Sequence, residues 1–288
     1  MIRFLSAAYL HSMKSKLAIL LALVISCSSP KKIQTDDGRN HFPVAVEKPS
    51  ILPAKENFYL YILAGQSNMA GRGFVQPQDT VPSMRVLTLD RNNEWVYAKE
   101  PLHYYEPPRT GLDCGLSFGK KLSSLYGKNI TIGLIPCAIG GSSIEQWLGD
   151  STYHGVTLYS NLMNKVKAAA QYGIIKGIIW HQGESNSGRF SYRNYKQKLE
   201  TLFTKIRTDV SVPDLPIYMG EISSFLKRTT NPNADSVNRD MHLLSSSMKN
   251  VYVIKTGDLT PKLDTIHFDS RSQRIMGERF ARKVYETK

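Results

Sequence analysis

The stretch Phe58-Tyr59-Leu60-Tyr61-Ile62-Leu63-Ala64-Gly65-Gln66-Ser67-Asn68 decides the fold. An unbroken apolar and aromatic run reads as a strand buried on both faces, because a strand with one wet face alternates polar and apolar residues. The run stops at a glycine and passes at once into polar residues, as a strand does when it feeds a turn at a sheet edge. Four further runs of this kind lie at 130–136, 174–181, 215–221 and 251–255. Segments with helical spacing follow at 116–126, 158–172, 192–210, 235–248 and 270–285. Strands alternating with helices predict an α/β fold, a parallel sheet of about five strands covered on both faces and joined by right-handed crossovers. No repeat of 20–50 residues is present.

In such a sheet, ligands bind beyond the carboxyl ends of the strands. Four polar clusters fall on that edge. They are Gly65-Gln66-Ser67-Asn68, Ala138-Ile139-Gly140-Gly141-Ser142-Ser143, His181-Gln182-Gly183-Glu184-Ser185-Asn186 and Asp264-Thr265-Ile266-His267. Ser67 at a strand-to-helix turn has the placement of an exposed nucleophile, although Met69 departs from the Gly-x-Ser-x-Gly elbow. Alone, a serine there is usually a cap or turn former. His267 is a candidate acceptor for the Ser67 proton, and Asp264, three residues earlier, for fixing its tautomer. Gly140 and Gly141 let backbone approach a substrate closely, and Gln182 offers an amide donor. With the Ser67 N–H these are candidate oxyanion donors.

The 288 residues include 37 Lys and Arg against 24 Asp and Glu, a net charge of +13, and 3 cysteines. Three cysteines do not make a disulfide-stapled scaffold, so a hydrophobic core must hold the fold. The basic groups are scattered without a cluster or binding motif, which argues against nucleic acid. There is no His-Glu-x-x-His, Cys-x-x-Cys, phosphate loop or dinucleotide fingerprint, and the 7 histidines lack ligand spacing, so no metal or organic cofactor is implied.

The N-terminal residues read as an export signal. Lys14 and Lys16 precede an apolar run at 17–25, too short to span a bilayer comfortably. It ends in Val24-Ile25-Ser26-Cys27, similar to the cleavage site of bacterial lipoproteins, in which the cysteine becomes lipidated. An ordinary secretory signal with an incidental cysteine is the alternative. The expectation is a leader at 1–26, a lipidated Cys27 with a flexible tether to residue 56, and a domain at 57–288. The protein would then be exported and held on a membrane in the periplasm or at the cell surface, through several acyl chains. Whether Cys114 and Cys137 form a disulfide is open.

Together, the four blocks resemble the SGNH (GDSL-like) hydrolase superfamily, and within it the sialate O-acetylesterase-like branch that includes the acetylxylan esterases of carbohydrate esterase family six. The residues that carry this are Ala64-Gly65-Gln66-Ser67-Asn68-Met69-Ala70-Gly71-Arg72-Gly73, Ile139-Gly140-Gly141-Ser142-Ser143-Ile144, Trp180-His181-Gln182-Gly183-Glu184-Ser185 and the terminal Asp264-Thr265-Ile266-His267. The resemblance implies a three-layer α/β/α, flavodoxin-like fold and a serine esterase that removes acetyl groups from xylan-type or sialic-acid-type glycans. It implies Ser67 as nucleophile, His267 as general base and Asp264 as its acid. Oxyanion donors would come from Ser67, the Gly140-Gly141 turn and Gln182, which stands where the superfamily usually has Asn. Glu184 is the alternative acid partner or a support for loops at the site. Gln66, Asn68 and Arg72 are substrate-binding candidates, Arg72 being equally a buttress. Two other readings keep the fold, a non-catalytic carbohydrate-binding lipoprotein and an esterase for lipid or aryl esters.

Residues 70–113 form a long insertion, with alternation at 84–90 and 94–98 that suggests a small hairpin. Its Trp95, Tyr97, Tyr104 and Tyr105 either stack on sugar faces or close the core. Trp147 and Trp180 read as structural.

Overall fold

The computed structural model describes residues 38–228 and 231–288. The expected leader, Cys27 and the start of the tether lie outside the described residues. From residue 38 the chain lies against the domain. Asn40 and His41 bond to the backbone of Val75, and Glu47 accepts from the Tyr97 N–H. That part of the expected tether is a docked strap.

The elements, in chain order, are β1 (Phe58–Gly65), α1 (Ser67–Ala70), β2 (Val86–Leu89), β3 (Trp95–Tyr97), α2 (Gly115–Leu125), β4 (Thr131–Pro136), α3 (Ile144–Leu148), β5 (Thr152–Tyr153), β6 (Val156–Thr157), α4 (Leu158–Ala170), β7 (Ile174–His181), α5 (Tyr195–Asp209), β8 (Ile217–Gly220), α6 (Ala234–Ser247), β9 (Val251–Ile254) and α7 (Ser270–Glu286). The five expected strands are β1, β4, β7, β8 and β9. The sheet has seven strands, in the order β3-β2-β4-β1-β7-β8-β9. The expected hairpin supplies the other two. β2 pairs parallel to β4, and β3 folds back antiparallel, so the sheet is mixed. The expected α/β fold with its five parallel strands is present, and the hairpin extends the sheet to seven. Short runs such as Val86-Leu87-Thr88-Leu89 show their pairing only once a neighbour is in place.

Burial along β1 explains its unbroken apolar run. Leu60, Ile62 and Ala64 enter the core beneath α3, α4, α5 and α6, while Tyr61 and Leu63 enter the core beneath α2 and α7. Each face removes its side chains from water at about 1.5–3 kcal/mol per large apolar residue, and the result is three layers. Trp147 and Trp180 are fully buried and pack edge to face at 5.5 Å.

At the carboxyl end of β1 the backbone is crowded. The Gln66 N–H donates to His181 O, and Ile139 N–H to Gly65 O, so three strands end together. Gly65 has φ +136°, and a Cβ there would stand 2.0 Å from His181 O. Only glycine fits.

Candidate active site

Ser67 is the first residue of α1, straight after this crossing, and is 7% exposed. Its Oγ lies 3.0 Å from His267 Nε2. His267 Nδ1 lies 2.9 Å from Asp264 Oδ2. Asp264 Oδ1 accepts from the N–H groups of Ile266 and His267, both at 2.9 Å, so the carboxylate folds its own loop around the imidazole. Thr265, with φ +57°, makes that tight turn. Partial burial pushes the Asp264 carboxyl up, but the His267 and Ile266 hydrogen bonds outweigh it and hold the group below its ordinary value. An ionised Asp264 assigns the Nδ1 proton to the bond between them and leaves Nε2 free to accept from the Ser67 hydroxyl.

These groups open into a cleft of about 650 Å³, a size typical of small-ligand sites. Gln66, Arg72, Gly140, Gly141 and Glu184 also line it. Glu184 does not face His267. Its Oε1 accepts from Asn68 Nδ2 at 2.6 Å and lies 3.6 Å from His181 Nδ1. Asn68 Oδ1 in turn accepts from the Phe268 N–H at 3.0 Å. Glu184 and Asn68 therefore tie the β7 end to the residue after His267. Asn68 is fully buried behind the cleft, and its expected contact with substrate is corrected to this bridging role.

Two expected oxyanion donors are engaged elsewhere. Gln182 is fully buried, and its Nε2 faces Gln66 Oε1, Ser142 O and Asn186 Oδ1 within 3.2 Å. Tyr195 holds its Oε1. The Gly140 N–H donates to Glu106 Oε2 at 2.7 Å. The N–H groups of Ser67 and Gly141 take no partner among the described residues. Gly141 has φ +74° at the turn that presents its N–H. Sequence gives a residue's donor capacity; whether a neighbour already uses it depends on the fold.

Arg72 is a buttress. Its Nη2 meets Glu106 Oε2 at 2.8 Å and its Nη1 donates to Gly71 O. Burial raises the Glu106 carboxyl, but Arg72 and the Gly140 N–H hold it below its usual range. A Cβ on Gly140 would fall 2.0 Å from Arg72 Nη2, so the glycine makes room for this clamp.

The aromatic residues of the insertion close the core. Trp95 packs against Phe58 at 4.7 Å, Tyr105 donates to Pro136 O, and Tyr104 donates to Asp90 O and meets Lys165 Nζ. The cleft wall comes instead from Phe74, from 108–110 and from Tyr153 and His154. The last two were missed. The signal was His154-Gly155, with φ values of +49° and +76°, a two-residue hairpin turn between β5 and β6.

Cys114 and Cys137 are free and buried. Burial pushes Cys114 well up and Cys137 to about 12, so both are held as thiols. Among the described residues, no group of three or more His, Cys, Asp or Glu is placed to hold a metal ion.

A family model described as carbohydrate esterase, sialic acid-specific acetylesterase, matches residues 57–286. A probable carbohydrate esterase of Arabidopsis thaliana is 29% identical over 252 residues, which cover 80% of this chain and 92% of the relative. The solved structure of that relative matches with a TM-score of 0.71 at 27% identity, over 81% of this chain and 99% of the other. The crystal structure of NanS matches with a TM-score of 0.66 at 18% identity, over 82% of this chain and 99% of the other. At that identity the likeness is one of fold.

Proposed function

The chain belongs to the carbohydrate esterase, sialic acid-specific acetylesterase family, and from that premise we propose that it is a serine O-acetylesterase acting on acetylated sugars. The observation that carries the serine mechanism is the hydrogen-bonded line from Ser67 Oγ through His267 to Asp264 at the cleft. Ser67 Oγ attacks the acetyl carbonyl and passes its proton to His267 Nε2. The tetrahedral oxyanion is met by the unpartnered N–H groups of Ser67 and Gly141. Collapse breaks the bond to the sugar oxygen, which takes the proton from His267. Water, deprotonated by the same imidazole, then attacks the acetyl-enzyme; the bond to Ser67 Oγ breaks, Oγ takes the proton back from His267, and acetate is released.

The export leader read at 1–26 and the lipidated Cys27 belong to the same proposal. They would put this activity on a membrane face. Labelled fatty acid should be incorporated into the wild-type chain and not into Cys27→Ser.

The direct test is acetate release from a panel of acetylated sugars. Ser67→Ala should lower kcat by about a thousandfold or more. Retained turnover in that variant would reject Ser67 as nucleophile.

A further inference from the structure

Two backbone N–H groups leave the third oxyanion position open, because the Gln182 amide is sealed beneath the site. We propose that the side-chain amide of Gln66 is the third donor, a catalytic role resting on the acetyl-transfer reading above.

The orientation of this amide follows from its neighbours. One terminal atom of Gln66 lies 3.1 Å from the Ser185 N–H, 3.4 Å from the Gly183 N–H and 3.2 Å from Gln182 Nε2. Backbone N–H groups only donate, so this atom is the oxygen. The opposite atom is then the NH2 group. It takes no partner among the described residues, is not sealed from solvent, and belongs to a residue that lines the cleft beside Ser67. Gln66 is only 3% exposed overall, so its side chain is held in place while the NH2 end stays open to the cleft. Three fixed N–H groups on one end and an unused NH2 on the other make a preorganised donor aimed by the β7 loop. Charge developing on the carbonyl oxygen would give that NH2 its acceptor. Gln182 thus acts one layer down, holding the oxygen of Gln66.

Gln66→Glu tests this without dismantling the support. The glutamate keeps an oxygen for the three N–H groups but turns an oxygen, in place of NH2, toward the cleft. With the carboxylate ionised, kcat on an acetyl ester should fall by about 10²–10³-fold. As pH is lowered, the proton settles on the cleft-facing oxygen, since the other is held by donors, and restores an O–H donor. The ratio of variant to wild-type kcat should therefore rise as pH falls. Gln66→Met, which keeps length but has no donor, should show the loss without the pH-dependent recovery. It also serves if the glutamate variant does not fold. A folded variant that keeps most of wild-type kcat overturns the proposal. So does a glutamate variant whose loss is the same at every pH, which would mark Gln66 as support alone. Ser67→Ala is run alongside. If that variant stays active, the acetyl-transfer reading fails; if it is dead while Gln66→Glu is active, only the Gln66 role fails.

Discussion

At the scale of single residues, the central question is which acid serves His267. Asp264 bonds both the imidazole and the backbone that carries it, whereas Glu184 bonds Asn68. Asp264→Asn should lower kcat by about 10³–10⁴-fold, because the amide favours the wrong tautomer. Glu184→Gln should cost far less, since a glutamine oxygen still accepts from Asn68. Steady-state kinetics on both variants decides it, and a larger loss for Glu184→Gln would transfer the role. The serine, the histidine and the aspartate were legible because each sits at a strand end or in a short local spacing. The partners of Gln182 and Gly140 come from segments 40 and 34 positions away, which no local pattern reveals.

At the scale of elements, Glu106, paired with Arg72 inside the insertion, joins it to the turn after β4 by accepting from the Gly140 N–H. Both side chains are nearly enclosed, at 9% and 7% exposure. Glu106→Ala would strand a buried guanidinium and free the Gly140 N–H, and should cost about 3–5 kcal/mol in chemical unfolding. The Glu106 carboxyl is held down in the folded state. Its contribution is therefore present above the ordinary carboxylate range and fades as pH falls through the depressed value. Stability and kcat should fall together in Glu106→Ala; unchanged stability would mean that the clamp is ornamental. The hairpin of β2 and β3 was legible from its alternation. Its membership of the main sheet was not, because pairing to β4 depends on a strand more than 40 residues on.

At the scale of the whole molecule, the layers constrain one another. α7 packs on α2 at Gly277, where a Cβ would come within 2.0 Å of Ser117 Oγ and 2.3 Å of Cys114 O. Gly277→Ala should lower stability by about 1–3 kcal/mol through overpacking, read as a lower denaturant midpoint; an unchanged midpoint would show that the helices separate freely. Charge inside the fold makes a second prediction. Glu100 is buried, and burial first, then Asp113 and Asp79, raises its carboxyl well above the ordinary range. The folded state thus keeps a proton that the unfolded state has lost, and stability falls as pH rises from about 4.3 toward the raised value. Glu100→Gln removes that titration. Its thermal midpoint should gain on wild type as pH rises, whereas parallel curves would mean that Glu100 titrates normally. The alternation of strands and helices made the three layers legible, while contacts such as Gly277 against Cys114 join segments too distant for a single sequence to couple.

The 200 positions between Ser67 and His267 also bear on biosynthesis. Under the proposed mechanism, a ribosome makes the attacking hydroxyl long before the base that activates it. Chains abandoned during translation before residue 264 would lack both Asp264 and His267. Cells would be spared stray hydrolysis by half-made copies, and activity would itself report that synthesis had gone past the imidazole.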